Sequence, residues 1–92
     1  MANDEAAVEA HLVFQVVKRG GVSRKLEYVN RRGAPDRLVA LNGLYLVELK
    51  RKDGRLSPHQ QAEHLELRKR GVPVACLWSI EEVDEWLEQV CA

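Results

Sequence analysis

The chain has few of the features that stabilise a small protein by covalent or extended apolar means. Its 92 residues include two cysteines, Cys76 inside an apolar run and Cys91 next to the last residue. That placement excludes a disulfide framework and a Cys-x-x-Cys metal site, and leaves one core thiol and one tail thiol. No apolar run approaches the roughly 20 residues needed to cross a bilayer. Asp4 and Glu5 stand where a secretory signal would be basic, so no membrane partner and a cytoplasmic location are expected. Aromatic residues make up 5% of the chain, and none is interleaved with the basic segment, which argues against base stacking. Trp78 and Trp86 are expected in the core or between copies. Repeats, linkers and low-complexity stretches are missing as well, so residues 1–92 read as a single domain with one modest core.

Net charge is zero, but the charges are unevenly spread. All the bases lie between Lys18 and Arg70, while Glu81, Glu82, Asp84, Glu85 and Glu88 crowd the end. The middle of the chain is therefore the expected polyanion-facing segment, with Arg31, Arg32, Arg37, Arg51 and Lys52 as candidate phosphate contacts. His11, His59 and His64 have no zinc-site spacing and read as surface or helix-face residues.

Val8, Leu12, Val13, Val16 and Val17 recur at helical spacing between Asp4 and Arg19, and Gly20-Gly21 ends the pattern. Val22 to Val29 reads as a first strand, followed by a basic loop over residues 30–35. Asn42-Gly43 between two apolar runs signals a hairpin of antiparallel strands at about residues 37–41 and 44–50. Ser57, Pro58 and Gln60 form an N-cap, a proline at the first helical position and a capping box, opening a second helix that runs to Arg70. Val72 to Trp78 is a buried strand. Ser79 with Glu82 is a second capping box, before a helix whose apolar stripe is Val83, Trp86, Leu87 and Val90. The expected fold class is α/β, in the order αβββαβα, with a mixed sheet flanked by helices.

Within this order, charged residues sit inside apolar runs. Asp36 precedes Leu38-Val39-Ala40-Leu41, and Glu48 and Lys50 follow Leu44-Tyr45-Leu46-Val47. Alternation along a strand puts Glu48 and Lys50 on one face, and Leu49 on the other. Two acids and an ammonium near a strand end suggest a divalent-cation site, Mg²⁺ or Mn²⁺ rather than zinc, with Glu48, Asp36 and the Leu49 backbone carbonyl as ligands and Lys50 near the attacking water. Glu5 and Glu9, one turn apart on the first helix, are candidates for a further acid. Taken alone, Glu48 and Lys50 are equally an exposed ion pair. The site also makes a demand on the hairpin. A two-residue loop would pair Arg37 with Glu48 and send Asp36 to the opposite face, so a three-residue turn, a bulge or an irregular start after Pro35 is required.

Gly33-Ala34-Pro35-Asp36-Arg37, Val47-Glu48-Leu49-Lys50, Gly54-Arg55-Leu56-Ser57-Pro58-His59-Gln60 and Glu5-Ala6-Ala7-Val8-Glu9 together resemble the VRR-NUC domain of the PD-(D/E)XK nuclease superfamily, over nearly the whole chain. The resemblance implies a restriction-endonuclease-like core and metal-dependent DNA cleavage. It carries metal binding onto Asp36, Glu48 and the helix acid, for which Glu5 matches better than Glu9. The catalytic lysine falls on Lys50 and a supporting glutamine on Gln60. Small stand-alone members look like phage or bacterial proteins similar to dimeric Holliday-junction resolvases, which implies branched DNA as substrate, a homodimer, and a bacterial cell or phage-infected host. A flap or general nuclease, a binding module with a degenerate site, and an interaction domain using the acidic last helix are the alternatives.

Overall fold

In a computed structural model that describes residues 4–92, seven elements follow the chain. They are α1 (Glu5–Lys18), β1 (Val22–Lys25), β2 (Arg37–Ala40), β3 (Leu44–Leu49), α2 (Pro58–Lys69), β4 (Val74–Leu77) and α3 (Ile80–Val90). Residues 1–3 of the expected domain lie outside the described part.

Capping residues set the helix starts. The Asp4 side chain accepts the Ala7 N–H at 2.7 Å and so starts α1. For α2, the Ser57 hydroxyl accepts the Gln60 N–H at 3.1 Å, and Gln60 Oε1 accepts the Ser57 N–H at 2.8 Å. At α3 the expected box is displaced by one residue. Ser79 caps Glu82, but Glu82 Oε1 accepts from Trp78 N–H at 3.0 Å instead of the cap residue.

The sheet runs β1-β2-β3-β4, antiparallel except for the β3/β4 pair, which is parallel. Its two faces differ in character. Val39, Val47, Leu49 and Leu77 point to one side, where Val8, Leu12 and Val16 of α1 and Val83 and Leu87 of α3 complete the apolar core. Glu48 and Cys76, directly paired across β3 and β4, point to the other side. There α2 covers the sheet, and the residues it buries are polar: Glu63 and His64.

Two local features depart from expectation. β1 ends at Lys25, four residues early. One further bond, Leu26 N–H to the Asp36 carbonyl at 2.9 Å, continues the pairing before the chain leaves the sheet. Tyr28 then donates to Glu63 at 2.7 Å and Arg31 pairs with the same carboxylate at 3.0 Å, which pins the 26–36 loop on α2. Gly33 (φ 97°) allows that approach, because a Cβ there would lie 2.6 Å from the His59 carbonyl oxygen. The second is Cys91, the expected tail thiol, which is half-buried against the core.

Candidate active site

The hairpin determines whether the acids can meet. Arg37 pairs with Val47 and Ala40 with Leu44, so residues 41–43 form a three-residue loop, with Asn42 at φ 53° and Gly43 at φ 144°. Extending this register sets Asp36 opposite Glu48, on the same face. The condition read from the sequence is met by the loop length.

The next step of the register pairs Pro35 with Leu49. Leu46 N–H is bonded to Pro73 on the β4 side at 3.0 Å, so Leu49, an odd number of residues further on, turns its peptide groups toward β2. Proline has no N–H to offer the Leu49 carbonyl. Leu49 N–H instead donates to Asp36 Oδ2 at 2.8 Å. The sequence Pro35-Asp36 therefore orients the aspartate and leaves the Leu49 carbonyl without its ladder donor.

Glu48 is 1% exposed, which rules out the exposed strand-end ion pair. Gln60 Nε2 donates to Glu48 Oε2 at 2.9 Å, and Lys50 Nζ lies 3.6 Å from the same oxygen. Gln60 thus acts as capping partner and as carboxylate donor at once, since its two amide atoms point in different directions. Burial first, then the Asp36 charge, push the Glu48 carboxyl up to about 8, against a smaller opposing pull from Lys50. The negative charge of Glu5 raises it further. Such a shift marks a buried site with more negative than positive charge, which is the electrostatic condition that a bound cation relieves.

The remaining candidates occupy other positions. Glu9 accepts from Arg37 at 2.7 Å and from Lys25 at 3.4 Å, and Arg37 also donates to Ser23 at 2.8 Å. Burial works against the charge of Glu9, but these bonds hold its carboxyl below the ordinary range. Arg31 is engaged with Glu63, whereas Arg32, Arg51 and Lys52 are exposed on the two loops that border the acidic cluster. Sequence reasoning did not single out His64, which is 1% exposed and lies 3.9 Å from Glu48 Oε1 through its Nε2. Its position four residues after Gln60, and so on the same helix face, was the available signal.

Among the described residues, no group of three or more His, Cys, Asp or Glu side chains is arranged to hold a metal ion. The donor set is two carboxylates and a backbone carbonyl, all oxygen. That set fits Mg²⁺, which binds through one or two carboxylates and keeps several waters, and does not suit zinc. Likewise, no described helix is long and apolar enough to cross a membrane.

Comparison with known proteins locates this arrangement in a family. No family model matches the chain. A curated protein of Acyrthosiphon pisum secondary endosymbiont phage 1, named "Putative nuclease p44", is 44% identical over 75 residues, which are 79% of this chain and 81% of that one. A solved structure described as a VRR_NUC domain superposes with a TM-score of 0.84 at 38% identity, covering 91% of this chain and 94% of the other.

Proposed function

Because this chain belongs to the VRR-NUC domain family, we propose that it is a Mg²⁺- or Mn²⁺-dependent endonuclease that hydrolyses phosphodiester bonds in branched DNA. The observation that carries this reading is the placement of Asp36 and Glu48 on one face, with Lys50 3.6 Å from Glu48. Asp36, Glu48 and the Leu49 carbonyl would hold the ion, and Glu5 adds negative charge nearby. A bound ion would supply Lewis acidity toward the scissile phosphate and lower the pKa of a water molecule.

The protein's own groups have separable tasks. Leu49 N–H fixes Asp36, and Gln60 fixes Glu48, so the two carboxylates are held before any ion arrives. Lys50, 16% exposed, is restrained beside the acids and orients the attacking water or stabilises charge developing on the phosphate. Arg32, Arg51 and Lys52 contact flanking phosphates, with Arg31 and Arg37 joining once DNA competes with Glu63 and Glu9.

Two copies acting together would cut two strands and widen the basic surface, which is the arrangement a four-way junction requires. Phe14 and Val17, exposed on α1 at 62% and 61%, supply apolar area for such pairing. A panel of labelled four-way junction, flap and linear duplex, each with Mg²⁺, Mn²⁺ or chelator, tests the substrate class. Metal-dependent cleavage with junction preferred is expected. Binding without cleavage on every substrate would indicate a module with a degenerate site. A molar mass of one chain by light scattering, at the concentration where junctions are cut, would count against the dimer.

A further inference from the structure

Two buried polar atoms stand close together at the base of the site, beside the Asp36 carboxyl. Glu48 Oε1 and His64 Nε2 are both shielded from solvent and make no hydrogen bond, and they stand 3.9 Å apart. Buried polar groups are rarely left unpaired, and two such atoms on facing residues are each other's natural complement. We propose that His64 is a positioning residue for the metal-binding carboxylate, with its Nε2–H directed at Glu48 Oε1. This inference rests on the reading of Glu48 as a metal ligand.

The other ring nitrogen determines the tautomer. His64 Nδ1 lies 3.4 Å from Cys76 Sγ, and Cys76 is the β4 residue paired with Glu48 in the sheet. A cysteine thiol is a weak donor, and a ring nitrogen without a proton is an acceptor. The S–H then donates to Nδ1, and the single ring proton sits on Nε2. In the opposite tautomer, the Nε2 lone pair would face the Glu48 carboxylate once that group ionises to take a cation.

Gln60 and His64 are one helical turn apart, and α2 thereby presents one N–H to each oxygen of the same carboxylate: Gln60 to Oε2, His64 to Oε1. Together they fix the plane of the Glu48 carboxylate when it ionises to take a cation. A shift of about 0.9 Å closes the His64 contact to ordinary hydrogen-bond length. Cys76 supports the arrangement at one remove, which explains why a β strand that borders the site carries a thiol at this position.

The test is Mn²⁺ titration of the full chain without DNA, by calorimetry, with junction cleavage measured alongside. His64→Leu keeps the volume and loses the donor, and its Mn²⁺ affinity is expected to fall about tenfold or more, with thermal stability in chelator unchanged or higher. His64→Gln returns an N–H near the Nε2 position and is expected to stay within about threefold of wild type. Equal Mn²⁺ affinity in wild type and His64→Leu would overturn the proposal, as would a His64→Gln variant that folds but is as impaired as His64→Leu. Should His64→Leu fail to fold, Cys76→Val and Cys76→Ser decide. A weaker affinity in the first that is restored in the second supports the relay, and no change in either overturns it. Wild-type protein that binds no Mn²⁺ would instead sink the metal-site reading itself.

Discussion

Replacing Glu48 with glutamine should stabilise the metal-free protein, and the gain should grow with pH. The folded-state carboxyl sits at about 8 and its ordinary value is 4.5, so between these values the folded chain holds a proton that the unfolded chain has lost. Stability is then fully present below pH 4.5 and is lost as pH rises through the folded value. The substituted amide does not titrate. The difference in unfolding free energy between Glu48→Gln and wild type cancels the groups remote from Glu48 and leaves its own titration together with its coupling to Asp36. From the upward shift, that difference should increase by about 2–3 kcal/mol between about pH 5.5 and about pH 7.5. This is a large part of the roughly 5–15 kcal/mol that holds a domain together. Urea denaturation of both proteins in EDTA, at several pH values, measures it. A difference that is flat with pH, or a variant that loses stability relative to wild type as pH rises, would refute the account of a buried acid crowded by Asp36.

Other substitutions separate the remaining roles. Lys50→Ala should lower the cleavage rate by about 10²-fold or more while leaving the fold and DNA affinity in place, and cleavage at the wild-type rate would reject the lysine's role. Ser57→Ala removes only the cap and should cost about 1 kcal/mol by thermal melting, with cleavage nearly unchanged. Gln60→Ala should lose both stability and cleavage, because the side chain serves Ser57 and Glu48 together, and a Gln60→Ala protein with full activity would show that its bond to Glu48 is dispensable. Gly33→Ala puts a Cβ against the His59 carbonyl at positive φ and should destabilise by about 1–3 kcal/mol in the same melts. An unchanged midpoint would mean that the loop is not pinned on α2 as described.

Much of the site was legible because its residues break local rules. A proline and an aspartate just before an apolar strand, and a glutamate and lysine just after one, are polar groups where burial is expected, and the motif order supplied the family. The hairpin register was not legible, since Asn42-Gly43 is compatible with a two- or a three-residue loop and only the paired strands decide between them. The end of β1 was misjudged because Leu26 to Val29 has strand composition, while the chain there is drawn away by Tyr28 and Arg31 binding Glu63, a residue more than 30 positions distant. The choice between Glu5 and Glu9 could not be read from helical spacing. In the fold, Arg37 projects from the α1 side of β2 and pairs with the Glu9 carboxylate. His64 is not legible from histidine spacing, which bears on a zinc set, because its relation is to Gln60 on the same helix face.

Cleavage of a labelled four-way junction by wild type and by Asp36→Asn, in EDTA and after Mg²⁺ is added in excess, tests the central claim most directly. Nicked products are expected only from the wild type and only once the ion is present. Cutting in EDTA, or equal cutting by Asp36→Asn, would contradict an ion held between Asp36 and Glu48.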